Sequence, residues 1–174
     1  MIRKRQVRPH FQPIVCLLDD KTIGFESLGR GAHSVLATSP IELFQLASKV
    51  GLELELGRLF RNEGVALSMD LPGAPLLFLN AHPGEVEDMS VVAEFETLRS
   101  RFPKASMVLE IHEASVVDLT RMNAIRDALR TLDVGLAYDN FGAGQSRLRD
   151  LVEVPPDYLK FDMSLIRGID RAPL

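Results

Sequence analysis

An α/β fold with a mostly parallel sheet is predicted for this chain by three observations. Short apolar runs suited to buried strands alternate with segments of helical period. The best of these runs, Val134 to Gly144, opens apolar and closes on Asp139, Asn140 and the glycines Gly142 and Gly144. A parallel strand is buried on both faces, so its first polar residues mark where it leaves the sheet, the edge at which α/β sites are built. The same pattern recurs in other runs, which end in Asn80, in Glu110 and in Lys160 with Asp162.

Taken in order, Phe11 to Leu18 reads as a strand, Asp19-Asp20-Lys21 as a turn, and Thr22 to Leu28 as the return arm of a hairpin. That arm delivers Glu26, Leu28 and Arg30 within one short segment. Ser39-Pro40 opens a helix with a capping hydroxyl and a proline in its first turn; Ile41, Phe44, Leu46 and Ala47 form its expected packing face. After Gly51 a second helix buries Leu56, Leu59, Phe60 and Val65. Leu76 to Ala81 is a strand ending at Asn80, Val91 to Phe102 a helix, and Met107 to Ile111 a strand leading into His112 and Glu113. Asp118 to Leu132 is helical with Leu119, Met122, Ile125, Ala128 and Leu129 on one face. A short helix near 145–152 and a strand from Asp157 to Asp162 close the chain. The alternation implies right-handed crossovers and one domain spanning residues 1–174.

With 174 residues, 46% hydrophobic and 25% charged, the chain has material for one core and the composition of a soluble protein. No apolar run approaches the roughly 20 residues of a membrane span, and the basic first residues lack the apolar segment of a signal peptide. A formal charge of −4 without tryptophan argues against a nucleic-acid polymer as partner. The lone Cys16 excludes an internal disulfide, fits a reducing cytoplasm, and is expected as a small buried hydrophobe in a strand.

Collected, the strand-end groups are Glu26, Asn80, Glu110, Asp139 with Asn140, and Lys160. A closed or nearly closed barrel gathers such ends at one rim. Three carboxylates and an amide oxygen suit Mg²⁺ or Mn²⁺. Two such ions about 4 Å apart activate a water and stabilise a phosphodiester under attack. Lys160 adds a compact positive charge, and the fork of Arg30 suits phosphate oxygens.

These residues also carry a resemblance. Phe25-Glu-Ser-Leu28 with Arg30 resembles the signature of EAL domains, the cyclic di-GMP phosphodiesterases of bacterial signalling. The likeness continues through Gln12-Pro-Ile-Val15, the helix Pro40 to Leu52, Leu79-Asn80, Leu109-Glu-Ile-His-Glu113, Asp139-Asn-Phe-Gly-Ala-Gly144 and Leu159-Lys-Phe-Asp162, from about Pro9 to Ile169. It implies a TIM-barrel-like (β/α) fold with an antiparallel first strand pair. It also implies Glu26, Asn80, Glu110, Asp139 and Asn140 as metal ligands, with Asp139 shared by two ions. Glu26 and Lys160 would be catalytic, Lys160 positioning the attacking water, and Gln12, Leu28 and Arg30 would contact the dinucleotide. The implied reaction is hydrolysis of cyclic di-GMP to linear pGpG.

The chain departs from the family pattern in several places. Ser27 replaces alanine, Asn140 replaces the second acid, Ala143 and Gln145 replace threonine and tyrosine, and His112 replaces threonine. Asn140 keeps an oxygen but loses a charge, which weakens the second metal. His112 reads as a hydrogen-bonded neutral rim histidine. About six of the eight strands of the barrel are recognisable, and the later family segments bearing Glu-Gly-Val-Glu and Gln-Gly do not occur. An open barrel leaves sheet edges uncovered, so either a second copy or a partner chain covers the gap, or the fold is rearranged, or the sequence is a fragment. Three functions follow: a metal-dependent phosphodiesterase, a receptor that binds cyclic di-GMP without cleaving it, and a protein-interaction module.

Overall fold

A computed structural model describes residues 1–116, 118–142 and 148–171. A short 3₁₀ turn (Ile2–Lys4) leads into β1 (Val7–Val15), which pairs antiparallel with β2 (Thr22–Gly31), placing Gln12 opposite Glu26. The helices α1 (Pro40–Ser48) and α2 (Glu53–Ser68) lead to β3 (Leu76–Asn80). Then follow α3 (Pro83–Glu87), α4 (Ser90–Arg101), β4 (Met107–His112), α5 (Leu119–Thr131) and β5 (Val134–Phe141). The last elements are α6 (Leu148–Glu153), β6 (Tyr158–Phe161) and α7 (Met163–Ile166). The six strands form one sheet in chain order, parallel from β2 onward.

Period-two alternation sorts the strand side chains onto two faces. Leu77, Leu79, Leu109, Ile111, Leu136 and Tyr138 point outward into the main core with Phe95, Leu98, Met122, Ile125 and Leu129 of the helices. Phe78, Val108 and Ala137 point inward and pack with Ile14 and Leu76; the Tyr158 ring meets Phe78 edge-on with centroids 5.0 Å apart. Two residues further along each strand, the same inward parity presents Asn80, Glu110, Asp139 and Lys160. The site is therefore the polar continuation of an apolar interior.

Helix α2 lies tightly on β2. A Cβ on Gly29 would sit 2.2 Å from the Phe60 ring, and one on Gly64 would sit 2.3 Å from Ser27 Oγ. Against the Phe60 ring only glycine allows this approach.

Several local expectations change. β1 ends at Val15, because Cys16 N–H bonds Lys21 C=O and closes the turn; Leu17 and Leu18 stand at its tip, 95% and 97% exposed. Cys16 is half-buried in that turn rather than buried in a strand. On α1 the buried face is Leu43 and Ala47, whereas Ile41 and Leu46 are exposed, because the helix packs against α2 and the end of β2 rather than flat on the sheet. Ser39 is its N-cap residue but makes no side-chain capping bond. Helix α3 had no period of its own to read in five residues; it is set by His82, whose side chain accepts from Gly84 N–H while Glu85 reaches back to His82 N–H, a capping box. Ala143, Gly144 and Gln145 lie outside the described residues, so the last part of the Val134–Gly144 stretch and the expected helix start near 145 do too.

Among the described residues β1 and β6 are the sheet edges. Pro9 and Pro13 remove donors from β1. Around β6, Phe161, Met163 and Ile169 are more than half exposed. Among the described residues no helix is long and apolar enough to cross a membrane.

Candidate functional site: three carboxylates around one lysine

The strand ends converge. Lys160 on β6 places Nζ 2.6 Å from Glu110 Oε1, 2.9 Å from Glu26 Oε2 and 3.3 Å from Asp139 Oδ1. Asn80 Nδ2 donates to Glu26 Oε1 at 3.0 Å. Residues separated by up to 134 positions thus meet because β2 to β6 are parallel neighbours with aligned C-terminal ends. Asn80 sits beside Glu110 in register, and Asp139 beside His112.

Burial makes this cluster electrostatically tense. Glu110 is 1% exposed, and neither carboxylate oxygen has an aligned hydrogen-bond donor, although Oε1 lies within ion-pair distance of Lys160. Its carboxyl is pushed up to about 7, chiefly by loss of hydration; Lys160 works against that rise, while Glu26 and Asp139 add to it. Desolvation also works against the charged form of Lys160, but Glu110 and Glu26 more than offset it and hold the ammonium above its ordinary pKa. The two partners therefore differ in sense, and charge counting gives the reason. Three carboxylates share one ammonium, leaving two negative charges unmatched in a partly buried site. A proton on Glu110 relieves one of them, and a divalent cation relieves both.

As the side chains stand, the described residues hold no group of three acidic, histidine or cysteine side chains at metal-holding distances, because the Lys160 ammonium occupies the middle of the cluster. The donor set itself is all oxygen and suits hard cations. Asn80 would serve through Oδ1 with its amide turned from the present contact.

The remaining predicted residues are arranged around this centre. Leu28 and Arg30 follow Glu26 on the same face of β2 and line a cavity of about 280 Å³ with Phe44, Phe60 and Asn80. Arg30 donates to Gly29 C=O at 3.0 Å and has no carboxylate partner among the described residues, so its remaining donors are available to an anion. Gln12 is exposed beside Glu26. Asn140 takes a left-handed φ of 57° at a bulge in β5 between the pairs made by Tyr138 and Phe141. Asparagine tolerates that conformation, and its side chain makes no hydrogen bond to the cluster among the described residues. Glu113 Oε2 accepts Gly142 N–H at 3.0 Å, tying the chain after β5 to the end of β4. His112 is exposed, with Nδ1 accepting Ala114 N–H at 3.1 Å, the rim role expected of it.

Sequence reasoning missed Arg61, Glu85 and Glu94, a buried ion cluster behind Asn80. A signal was present: Gly57, Arg61, Gly64, Val65 and Ser68 share the buried face of α2 at helical spacing, which places a charged residue where only a paired one is tolerated.

The sequence matches the EAL domain family over residues 1–174. It is 30% identical over 179 residues to the cyclic di-GMP phosphodiesterase RocR of Pseudomonas aeruginosa, covering 94% of this chain and 44% of that protein. The chain thus spans less than half of that relative. Among solved structures, the c-di-GMP complex of the phosphodiesterase PaMucR superposes with a TM-score of 0.84 at 26% identity, over 98% of this chain and 72% of that one. The manganese and cyclic di-GMP complex of Klebsiella pneumoniae BlrP1 gives 0.81 at 26% identity, over 94% and 42%. The six-stranded sheet, with its one antiparallel pair at β1–β2, is the TIM-barrel-like architecture of these neighbours, and the chain belongs to the EAL domain family.

Proposed function

We propose that this chain is a single EAL domain that binds cyclic di-GMP in the cytoplasm and, with Mg²⁺ or Mn²⁺, hydrolyses one phosphodiester bond to give pGpG. The observation that carries this reading is the unmatched negative charge around buried Glu110, which asks for a divalent cation at the place where a phosphodiester can reach it. The relatives named above, cyclic di-GMP phosphodiesterases and a manganese complex, support the same ligand and metal class.

Glu26, Asn80, Glu110 and Asp139 are the residues that would hold the cations, with Asp139 between two of them and Asn140 completing the second position through a neutral oxygen. When bound, the cations supply Lewis-acid stabilisation of the phosphoryl oxygens and a nucleophile at neutral pH. The chain does the rest. Lys160 holds the attacking water against the carboxylates, Arg30 forks onto a phosphate, and Gln12 and Leu28 flank the dinucleotide. The apolar flank of β6 packs against a second copy or another polypeptide.

The test mixes purified protein with cyclic di-GMP and Mn²⁺, following pGpG by chromatography and binding by calorimetry. Product that disappears in Glu26→Ala is the expected result. Heat without product establishes a receptor instead, the reading that Asn140 favours; neither signal leaves an interaction module and overturns the proposal. Restoring the acid with Asn140→Asp is expected to tighten Mn²⁺ binding about tenfold and raise turnover, because it returns one ligand charge. Unchanged affinity and turnover would show that Asn140 is not a ligand position.

A further inference from the structure

Behind the site, the guanidinium of Arg61 is 3% exposed and spends its donors in three directions. Nε donates to Glu94 Oε1 at 3.1 Å, and Nη2 contacts both Glu94 Oε2 and Glu85 Oε1, the latter at 2.5 Å. Nη1 turns away from the carboxylates and donates to the main-chain carbonyl of Asn80 at 2.8 Å. Glu85 Oε2 accepts His82 N–H at 3.1 Å, so one continuous network grips the chain at Asn80 and two residues beyond it. On the other side of the strand end, Ala81 N–H bonds Glu110 C=O at 2.9 Å. The last peptide of β3 is thus clamped between α2 and β4. Its side chain has one hydrogen bond to the cluster, through Nδ2 to Glu26.

A buried arginine with two buried acids is a costly way to fill space, since apolar residues of similar volume serve packing as well or better. Its charge-assisted bond to a ligand-bearing carbonyl is what an apolar substitute cannot supply. We propose that Arg61 is a positioning residue: through the Asn80 carbonyl and the Glu85–His82 cap it sets the direction of the Asn80 amide toward Glu26 and the cations. This rests on the proposed metal site. Outer partners that orient ligands are typically worth ten- to a hundredfold in metal affinity.

The experiment is a mutant cycle on the whole chain, read by Mn²⁺ calorimetry. Arg61→Met is paired with Glu85→Gln and Glu94→Gln so that the two buried carboxylates are not left with only the half-exposed Arg58, 3.4 Å from Glu85 and 3.7 Å from Glu94, as their cation; this triple variant is expected to keep a cooperative melt. Its Mn²⁺ affinity should fall about tenfold, whereas the same triple change in an Asn80→Ala background should cost less than twofold, because the residue it acts through is gone. Arg61→Lys alone should recover part of the affinity. An equal penalty in both backgrounds, or no penalty in either, overturns the proposal and leaves Arg61 a purely structural group. A readout without metal keeps the two readings apart. The side-chain amide resonances of Asn80 in ¹⁵N-labelled protein should shift and lose their response to Glu26→Gln in the triple variant. If the parent chain binds no Mn²⁺, the metal site fails, and those resonances alone decide the positioning role; signals identical to the parent's overturn it.

Discussion

Glu110→Gln is expected to raise the melting temperature of the metal-free protein at pH 8 while removing Mn²⁺ binding. The carboxyl is buried, its oxygens lack aligned donors, and burial moves its pKa from 4.5 to about 7. Between those values the native state holds a proton that the unfolded chain has lost. By linkage the stability contributed by this group is fully present below about pH 4.5 and is lost as pH rises through about 7. Ionised at pH 8, Glu110 costs on the order of 3 kcal/mol relative to its neutral form. Glutamine removes that cost but also takes a partner from Lys160, so a net gain of about 1–2 kcal/mol is expected, or about 3–6 °C. The gap between the two melting temperatures should widen from pH 5 to pH 8. Mn²⁺ affinity should meanwhile fall at least about a hundredfold, since an amide cannot replace the ligand charge. Melting curves that stay parallel across that range, or a less stable variant at pH 8, would contradict this account of Glu110. The same protonation makes Mn²⁺ binding by the parent chain strengthen with pH up to about 7 and level off above it, because the cation must displace the proton.

How much of this was legible in the sequence depends on whether the cue is local. Asn80, Glu110, Asp139 and Lys160 could be found because each lies at or near the end of an apolar strand, and Glu26 because it is the one acid in the strand-like run Thr22 to Leu28; strand parity places them on the inner face once the alternation with helices implies a parallel sheet. The antiparallel β1–β2 pair followed from a turn signal of three residues. What escaped depended on tertiary choices. The face α1 buries was misread because Leu43 and Ile41 are equally apolar, and only the position of α2 selects between them. The Arg61 cluster joins residues 24 and 33 positions apart on three elements, so no window along the chain contains it. The centre of the cluster escaped as well. The sequence indicates a lysine near three acids, but not that its ammonium lies among them where a cation would go.

That last point makes Lys160→Met the sharpest probe of the site, with effects in opposite directions. Without metal, three carboxylates that now share an ammonium would face one another unshielded. Removing one partner of a buried pair costs about 3–5 kcal/mol. Glu26 and Asp139 are about one-fifth exposed and Lys160 somewhat more, and water screens part of the repulsion, so about 2 kcal/mol, or about 4–8 °C, is expected here. The pH dependence identifies the cause. The loss should be larger at pH 8 than at pH 5, because at pH 5 Glu110 holds its proton with or without the ammonium beside it. Mn²⁺ should restore the lost stability, and it should bind the variant more tightly than the parent chain, since the ammonium no longer competes for the carboxylates. Hydrolysis should still fall, because the group that holds the water is gone. If Lys160→Met weakens Mn²⁺ binding, the lysine supports the cations rather than standing in for one, and the charge imbalance around Glu110 ceases to be an argument for a metal site.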